Sequence, residues 1–247
     1  MKERAAVKGG PAARLAARQF LLLSAYNAEG MQNLGFAYAL LPVLEQVHRD
    51  PQALGRALER HLEPINTHPY MSAPLLGAVA SLEADGRPEQ AVRLKELASG
   101  PLAAMGDQFF WVGLKPAVAL LVVAVLLAAE QSWAFVLFLG LYGLPQLVLR
   151  LVMARRALGR GRPVIAALTG LDLPRWASRV ALVGGAAAAV VAVGAGHHLG
   201  GVAAVTALPA VALCAYLLVR RGVAPLLLLY LAAGLCLALA GLLPRGG

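Results

Sequence analysis

The chain has 247 residues, of which 59% are hydrophobic and only 14% charged, whereas soluble domains carry about 25% charged residues. This composition excludes an ordinary soluble domain and predicts an integral membrane protein. The net charge of +9 comes almost entirely from residues 116–247, which contain only two acids, Glu130 and Asp172. Because the basic residues there flank apolar runs, they are typical of cytoplasmic loops and argue against a nucleic-acid-binding surface.

The first predicted element is an amphipathic helix near the N-terminus. Its continuous apolar core is too short for a signal peptide, and the basic region before it is too long. Arg14 and Arg18 occupy one helical face. The opposite face is formed by Ala12, Leu15, Gln19 and Leu22. We therefore expect this helix to lie on the cytoplasmic surface of the membrane.

Short helices are predicted between this element and residue 100. Apolar residues recur at helical spacing from Leu40 to Val47. Asp50 followed by Pro51 is a strong helix start, an N-cap residue and then proline in the first turn. Pro88 begins a charged helix that is predicted to end near Ala98. Residues 1–115 thus form an N-terminal helical region, which three polar breaks interrupt.

The rest of the chain is membrane-like. We predict a transmembrane hairpin within 116–149, a basic cytoplasmic segment at 150–179, and three transmembrane helices within 180–247. The fold class is therefore an all-α integral membrane protein, with N-terminal amphipathic or re-entrant helices followed by about five transmembrane helices. The distribution of arginines places the N-terminus in the cytoplasm and the C-terminus outside.

The sequence contains none of the common catalytic or cofactor-binding motifs. There is no phosphate-binding loop, no HExxH, no nucleophile elbow and no dinucleotide fingerprint. Cys214 and Cys236 lie inside apolar runs, and the pair His197-His198 has no carboxylate or thiol near it in sequence. We predict no metal, no cofactor and no autonomous catalytic activity.

The three polar breaks of the N-terminal region contain the candidate functional residues. They span 27–33, 66–70 and 106–108, and they contain Asn27, Glu29, Gln32, Asn33, Asn66, His68, Asp107 and Gln108. Aromatic residues accompany them, namely Tyr26, Phe36, Tyr70 and Trp111. Amides, carboxylates and aromatic faces are the groups that bind neutral sugars. Helix capping by Asn33 and Asn66 is the alternative, since spacing does not bring three breaks into one pocket.

Four segments in register resemble one known family. They are MQNLGF at 31–36, ALLPVL at 39–44, RHLEPINTHPY at 60–70 and GPLAAMGDQFFW at 100–111. In order and spacing they resemble the IID component of the mannose/fructose/sorbose family of the phosphotransferase system. The resemblance is strong over residues 15–150 and weaker in the last two predicted spans.

The resemblance implies a bacterial cytoplasmic-membrane protein that pairs with a membrane subunit, IIC, to form a sugar permease. Cytoplasmic IIA and IIB relay phosphoryl groups from phosphoenolpyruvate, and IIB phosphorylates the sugar, so IID itself is not catalytic. It further implies oligomers of IIC–IID pairs in the lipid bilayer. The residues at matching motif positions that it suggests for substrate binding are Glu29, Gln32, Asn33, Asn66 and His68. Gly106 and Asp107 are expected to be structural, with Asp107 a buried acid at a helix start that fixes a hinge.

The chain also departs from the pattern of this family. Gly30 stands where the family commonly has arginine, and residues 150–179 are arginine-rich where relatives are rich in tyrosine and glycine. A second interpretation therefore stays open beside transport of a mannose-type hexose. In it, the chain is a regulatory or sensory membrane remnant of an incomplete phosphotransferase system that no longer moves sugar.

Overall fold

The computed structural model describes residues 7, 9–129 and 133–160, together with 163, 165–166, 170, 172–173, 175–180 and 182–187. These residues are predominantly helical, and the part of the chain described contains isolated β-bridges but no strand. The elements in chain order are α1 (Gly10–Arg18) with a 3₁₀ turn (Gln19–Leu21), α2 (Asn33–Val47), α3 (Pro51–His61), α4 (Ser72–Ala84), α5 (Pro88–Gly106), a π-helical segment (Asp107–Leu114), α6 (Lys115–Ala129), α7 (Ala134–Phe138), a second π-helical segment (Leu139–Gly143) and α8 (Leu144–Arg160).

The all-α membrane fold class is confirmed. In the part of the chain that the structure describes, two continuous helical runs are long and apolar enough to cross a membrane, Pro88–Leu126 and Ala134–Leu158. Residues 175–180 and 182–187 are helical where the third span is predicted to begin. The remainder of the three predicted C-terminal spans, with His197-His198, Cys214 and Cys236, lies outside the described residues.

Helix α1 has the predicted amphipathic character, but its apolar face is covered by protein. Leu15, Gln19 and Leu22 are fully buried, and α1 packs on α2 and α8. The expectation that this face rests on the membrane surface is therefore wrong. Burial against two other helices satisfies the same apolar stripe without lipid.

Helix α4 lies at the centre of the N-terminal region. Every residue from Ser72 to Ala80 is buried, because α2, α5 and α8 surround the helix. A helix that is apolar on all sides is suited to such a position. Gly77 permits the close approach of α8, since a Cβ there would lie 2.7 Å from both the carbonyl oxygen of Ala154 and the Cβ of Ala157.

Two predicted boundaries differ from the structure. The helix from Pro88 does not stop near Ala98, and no break occurs at 106–108, because π-helical turns carry the backbone from α5 into α6. The second hairpin helix does not end at residue 149. It continues as α8 to Arg160, since Ala154 and Ala157 pack on α4. Arg150 is thus a residue within α8 and not the first residue of a separate basic segment, as the sequence predicted.

Candidate functional site

The first two polar breaks are joined by backbone pairing. The Asn27 and Met31 backbones pair with each other, and Met31 forms a parallel bridge with Ile65. The amide of Gln32 donates to the carbonyl of Ile65 at 3.0 Å, and the Ile65 amide donates to the carbonyl of Gly30 at 3.3 Å. These contacts satisfy backbone groups that a non-helical loop would otherwise leave unpaired. The two segments therefore form one structural unit, here called the paired loops (residues 27–33 and 65–68).

Gln32 fastens the paired loops with its side chain. Its Nε2 donates to the carbonyl of Thr67 at 2.6 Å and to Oδ1 of Asn66 at 3.1 Å, and its Oε1 accepts from the Thr67 amide at 3.0 Å. The side chain is 3% exposed. Because both the nitrogen and the oxygen of this side-chain amide form hydrogen bonds within the protein, Gln32 serves to position residues 66 and 67.

The side chain of Asn33 also forms its hydrogen bonds within the protein. Its Nδ2 donates to the carbonyl of Leu62 at 2.7 Å, and its Oδ1 accepts from the Leu34 amide at 2.7 Å and from Asn27 Nδ2 at 3.1 Å. The alternative, that Asn33 caps a helix, is not met: Asn33 is the first residue of α2, and no side-chain cap hydrogen bond forms at the N-cap of this helix. Between Gln32 and the turn at Gly30, Met31 adopts φ 56°, a left-handed conformation that is uncommon for a residue with a side chain. The pairing on both sides of Met31 holds this conformation in place.

Glu29 and Asn66 are the exposed polar residues of the paired loops. Glu29 makes no hydrogen bond or ion pair with any described residue, and the Nδ2 of Asn66 donates to none. Their two segments are hydrogen-bonded to each other, through Gly30, which follows Glu29, and Ile65, which precedes Asn66. An exposed carboxylate and an exposed amide donor therefore belong to the same paired loops, where a ligand can reach them.

His68, in the second polar break, packs against residues in and next to the third polar break. Its ring is 1% exposed and stacks on Phe110, with ring centroids 5.3 Å apart and planes 14° apart. Tyr70 and Trp111 approach it edge-on, at centroid distances of 4.7 and 4.8 Å. Gly106 lies directly against the ring, where a Cβ would overlap the Cβ and Cγ of His68. The structure thus brings together segments that sequence spacing alone left separate.

The hydrogen-bonding state of His68 follows from its neighbours. The Tyr70 amide donates to Nδ1 at 3.2 Å, so the proton of the neutral ring resides on Nε2. Nε2 is buried and has no hydrogen-bond partner among the described residues, and the same holds for the hydroxyl of Thr67. An unpaired buried donor costs about 1–3 kcal/mol. The site therefore contains a donor that an oxygen acceptor from a ligand would satisfy.

Burial sets the charge of His68 and predicts a pH dependence. Desolvation, reinforced by the Arg150 cation, lowers the pKa of His68 from 6.5 to about 4. Because the unfolded chain then binds more protons between these values, stability should fall as pH drops from 6.5 to 4, by about 2–3 kcal/mol from this residue. Reversible urea unfolding in detergent micelles at several pH values measures the loss. His68→Gln should flatten the profile, leaving the dependences due to His61, whose pKa burial also lowers, and to Glu83 at the acid end of the range; an unchanged profile would contradict the assignment.

The other predicted site residues differ in their surroundings. Asp107 is half-buried at the junction of α5 and the π-helical segment, and it pairs with no described residue. The expectation that it is a buried acid at a helix start is wrong, because the helix passes through this position. Gln108 is exposed. Phe36 is a fully buried core residue and Tyr26 is 56% exposed, so Tyr70 and Trp111 are the predicted aromatic residues that contact His68.

Sequence reasoning missed three residues of this region. Arg150 donates to the carbonyl of Pro69, Tyr142 meets the hydroxyl of Tyr70 at 3.2 Å, and Glu83 is a buried carboxylate surrounded by basic side chains. Arg150 had a detectable signal, a lone cation between apolar residues of helical spacing, but the positive-inside rule explained it equally well. Glu83 and Tyr142 had no signal, because their partners are distant in sequence.

The fold and the site define an α-helical membrane protein with a polar, aromatic-lined site built from its N-terminal region. A family model described as "PTS system mannose/fructose/sorbose family IID component" matches residues 11–194. The chain therefore belongs to the IID components of this phosphotransferase family. Membership agrees with the family resemblance of the four motifs.

Curated relatives agree with this family. The chain is 32% identical to the fructose permease IID component of Bacillus subtilis over 42% of its length, and 28% identical to the mannose-specific EIID component of Escherichia coli over 68%. It is 29% identical over 60% of its length to the sorbose-specific EIID component of Lacticaseibacillus casei. The matches span 40%, 61% and 54% of these relatives, respectively.

Two solved structures share the fold. One, titled "Structure of membrane protein", has a TM-score of 0.70 at 22% identity, covering 95% of this chain and 96% of the other. The second is a cryo-EM structure of the mannose transporter ManYZ in complex with microcin E492, with a TM-score of 0.58 at 22% identity and the same coverage. At this identity the likeness concerns the fold alone.

Proposed function

We propose that the chain is the IID half of a working permease. With a separate IIC membrane subunit it translocates a mannose-type hexose across the bacterial cytoplasmic membrane, and IIB phosphorylates the sugar on the inner side. The relatives named for mannose, fructose and sorbose support this class of substrate. The phosphoryl-transfer chemistry resides on the cytoplasmic IIA and IIB components, and IIC–IID pairs assemble into larger oligomers. The N-terminus is cytoplasmic and the C-terminus external, as the arginine distribution favours.

One observation carries the proposal: the Glu29 carboxylate and the Nδ2 of Asn66 are exposed and have no partner among the described residues, on paired loops that Gln32 and Asn33 hold in place. The carboxylate accepts from sugar hydroxyls, and the amide donates to their oxygens. The buried Nε2–H of His68 adds a donor at the same unit. Of the five residues proposed for the sugar site, Glu29, Asn66 and His68 contact sugar, while Gln32 and Asn33 position them. Such pre-organisation limits the entropy cost of binding.

The test is sugar uptake in cells that lack their own hexose permeases. The chain is expressed with the IIC, IIA and IIB components of the same organism, and uptake of labelled mannose, fructose, sorbose and glucose is measured. Glu29→Ala and Asn66→Ala should each lower uptake at least about tenfold, because each removes a hydrogen bond to the sugar. The IIC–IID complex should still purify intact. Glu45→Ala, which removes an exposed carboxylate from α2, is the matched control and should transport normally.

The outcomes separate the two functions. Normal uptake by both Glu29→Ala and Asn66→Ala would rule out these residues as sugar contacts. Absence of uptake of every sugar by the unmodified, fully assembled complex would instead favour the regulatory or sensory interpretation.

A further inference from the structure

Arg150 is a cation inside a helix that is apolar enough to cross a membrane. It belongs to α8, within the candidate span Ala134–Leu158. No carboxylate forms an ion pair with it in the described part of the chain. Charged residues within membrane segments are costly and are retained where they serve a function.

The side chain of Arg150 is directed at one backbone carbonyl and two aromatic rings. Its Nε and Nη2 both donate to the carbonyl of Pro69, at 3.4 and 3.2 Å. The guanidinium carbon lies 4.8 Å from the ring centroid of Phe20 and 5.1 Å from that of Tyr70. Aromatic faces and a carbonyl oxygen replace the counter-ion, as the planar guanidinium permits.

The Pro69 carbonyl immediately follows His68 in the chain. Ser72 Oγ also donates to this carbonyl, at 2.8 Å, so Arg150 and Ser72 hold it from α8 and α4. On the other side of His68, Gln32 holds both backbone groups of Thr67. His68 is therefore fixed from both directions along the chain, and Arg150 supplies the contact that comes from the membrane hairpin.

A second set of contacts ties Arg150 to the N-terminal helix. Its own carbonyl accepts from Nε2 of Gln19 at 3.3 Å, and Gln19 is fully buried. Tyr70, beneath the guanidinium, reaches the hairpin again through the 3.2 Å contact with the hydroxyl of Tyr142. Displacement of α8 relative to the paired loops would therefore be transmitted to Pro69 and Tyr70, the two residues that follow His68.

We infer that Arg150 is a positioning residue for the sugar site, which couples the membrane hairpin to the conformation of His68 and Tyr70. The inference rests on the proposed function, because it assigns Arg150 to the site proposed above. Arg150 contacts the backbone next to His68 and touches no sugar itself. This role requires arginine and not lysine. A planar guanidinium can direct both Nε and Nη2 at one oxygen while it stacks on aromatic rings, and a lysine ammonium cannot.

The test compares Arg150→Gln and Arg150→Lys with Arg155→Gln, an exposed arginine on the same helix. All are measured with the IIC, IIA and IIB components present. Arg150→Gln should raise the sugar concentration for half-maximal uptake about tenfold, with the maximal rate within about threefold of the unmodified protein and the complex intact. Arg150→Lys should restore part of this loss, and Arg155→Gln should behave as the unmodified protein.

A second measurement does not depend on transport. With Cys214 and Cys236 replaced by serine, Asn66→Cys places a thiol on the paired loops, and its rate of maleimide labelling reports their conformation. Adding Arg150→Gln should change this rate at least about threefold, whereas Arg155→Gln should not. If the unmodified complex moves no sugar, the proposed function fails while the labelling rates still decide the role of Arg150.

Three results would overturn the inference. The first is half-maximal uptake within about twofold of normal for Arg150→Gln in an intact complex. The second is an unchanged labelling rate. The third is loss of the IIC–IID complex in both Arg150→Gln and Arg150→Lys, which would show that the residue serves folding or assembly and not the site.

Discussion

Replacing Glu83 by alanine is expected to lower the free energy of unfolding by about 3–5 kcal/mol, the usual cost of removing one partner from a buried ion pair. Glu83 is 1% exposed near the end of α4. Arg60 donates to it through Nε and Nη2, at 3.3 and 2.9 Å, and His61 Nε2 lies 3.0 Å from Oε1. His48 Nε2 is 3.5 Å from Oε2. Alanine would leave the Arg60 cation without its carboxylate partner and His61 without its acceptor.

The same cluster makes the contribution of Glu83 depend on pH. Burial alone would raise the pKa of Glu83, but hydrogen bonds and charge from His61 and Arg60 outweigh burial and lower it from 4.5 to about 2. A carboxyl group whose pKa is depressed in the folded state stabilises the fold above its unfolded pKa. This stabilisation is therefore complete above about pH 4.5 and disappears as pH falls toward 2. The difference between the unmodified protein and Glu83→Ala should shrink over the same range.

Reversible urea unfolding in detergent micelles measures both effects. Glu83→Gln keeps the shape and one acceptor oxygen, so it should lose less stability than Glu83→Ala. Glu59→Ala removes an exposed carboxylate from α3, one residue before Arg60, and should change stability by no more than about 0.5 kcal/mol. A Glu83→Ala protein as stable as Glu59→Ala would show that the buried cluster contributes nothing to the fold.

Local signals allowed the helix starts to be predicted from the sequence. Asp50 accepts a hydrogen bond from the Ala53 amide at 2.8 Å, and Pro51 and Pro88 occupy the first positions of α3 and α5. These features act within one turn of helix, so neighbouring residues suffice to predict them. The buried face of α1 was predictable for the same reason, because periodicity identifies an apolar face. Periodicity does not identify what covers that face, and here protein covers it instead of lipid.

Long-range pairing could not be predicted in this way. Gln32 and Thr67 are 35 residues apart, and Glu83 meets Arg60 and His61 from 23 and 22 residues away. Nothing in the spacing of these residues distinguishes them from ordinary caps and loop residues. The family motifs located the paired loops, but only the structure shows that the side chains of Gln32 and Asn33 bond within the protein, whereas Glu29 and the Nδ2 of Asn66 have no partner among the described residues. Their three-dimensional contacts distinguish the residues that support the paired loops from those that a ligand can reach.

Gly106 and Asp107 were predicted to mark a special backbone position. The predicted break in the helix at this position was wrong. The helix is continuous there, and the glycine is required because the ring of His68 occupies the space of a Cβ. In a helix interior, Gly→Ala ordinarily stabilises by about 1 kcal/mol. Insertion of a methyl group into packed surroundings costs about 1–3 kcal/mol, so the clash should win at this position.

Gly106→Ala should therefore destabilise the protein by up to about 2 kcal/mol and shift His68 away from Phe110 and Trp111. Because His68 is at the proposed sugar site, uptake should fall at least about tenfold. Gly55→Ala is the matched control, because Gly55 lies within α3 with open space around its Cβ position and should gain stability without loss of uptake. Urea unfolding in micelles measures the stability of both variants, and hexose uptake measures their transport. If Gly106→Ala gained stability as Gly55→Ala does and transported normally, the close packing of Gly106 against His68 could not be what determines the geometry of the site.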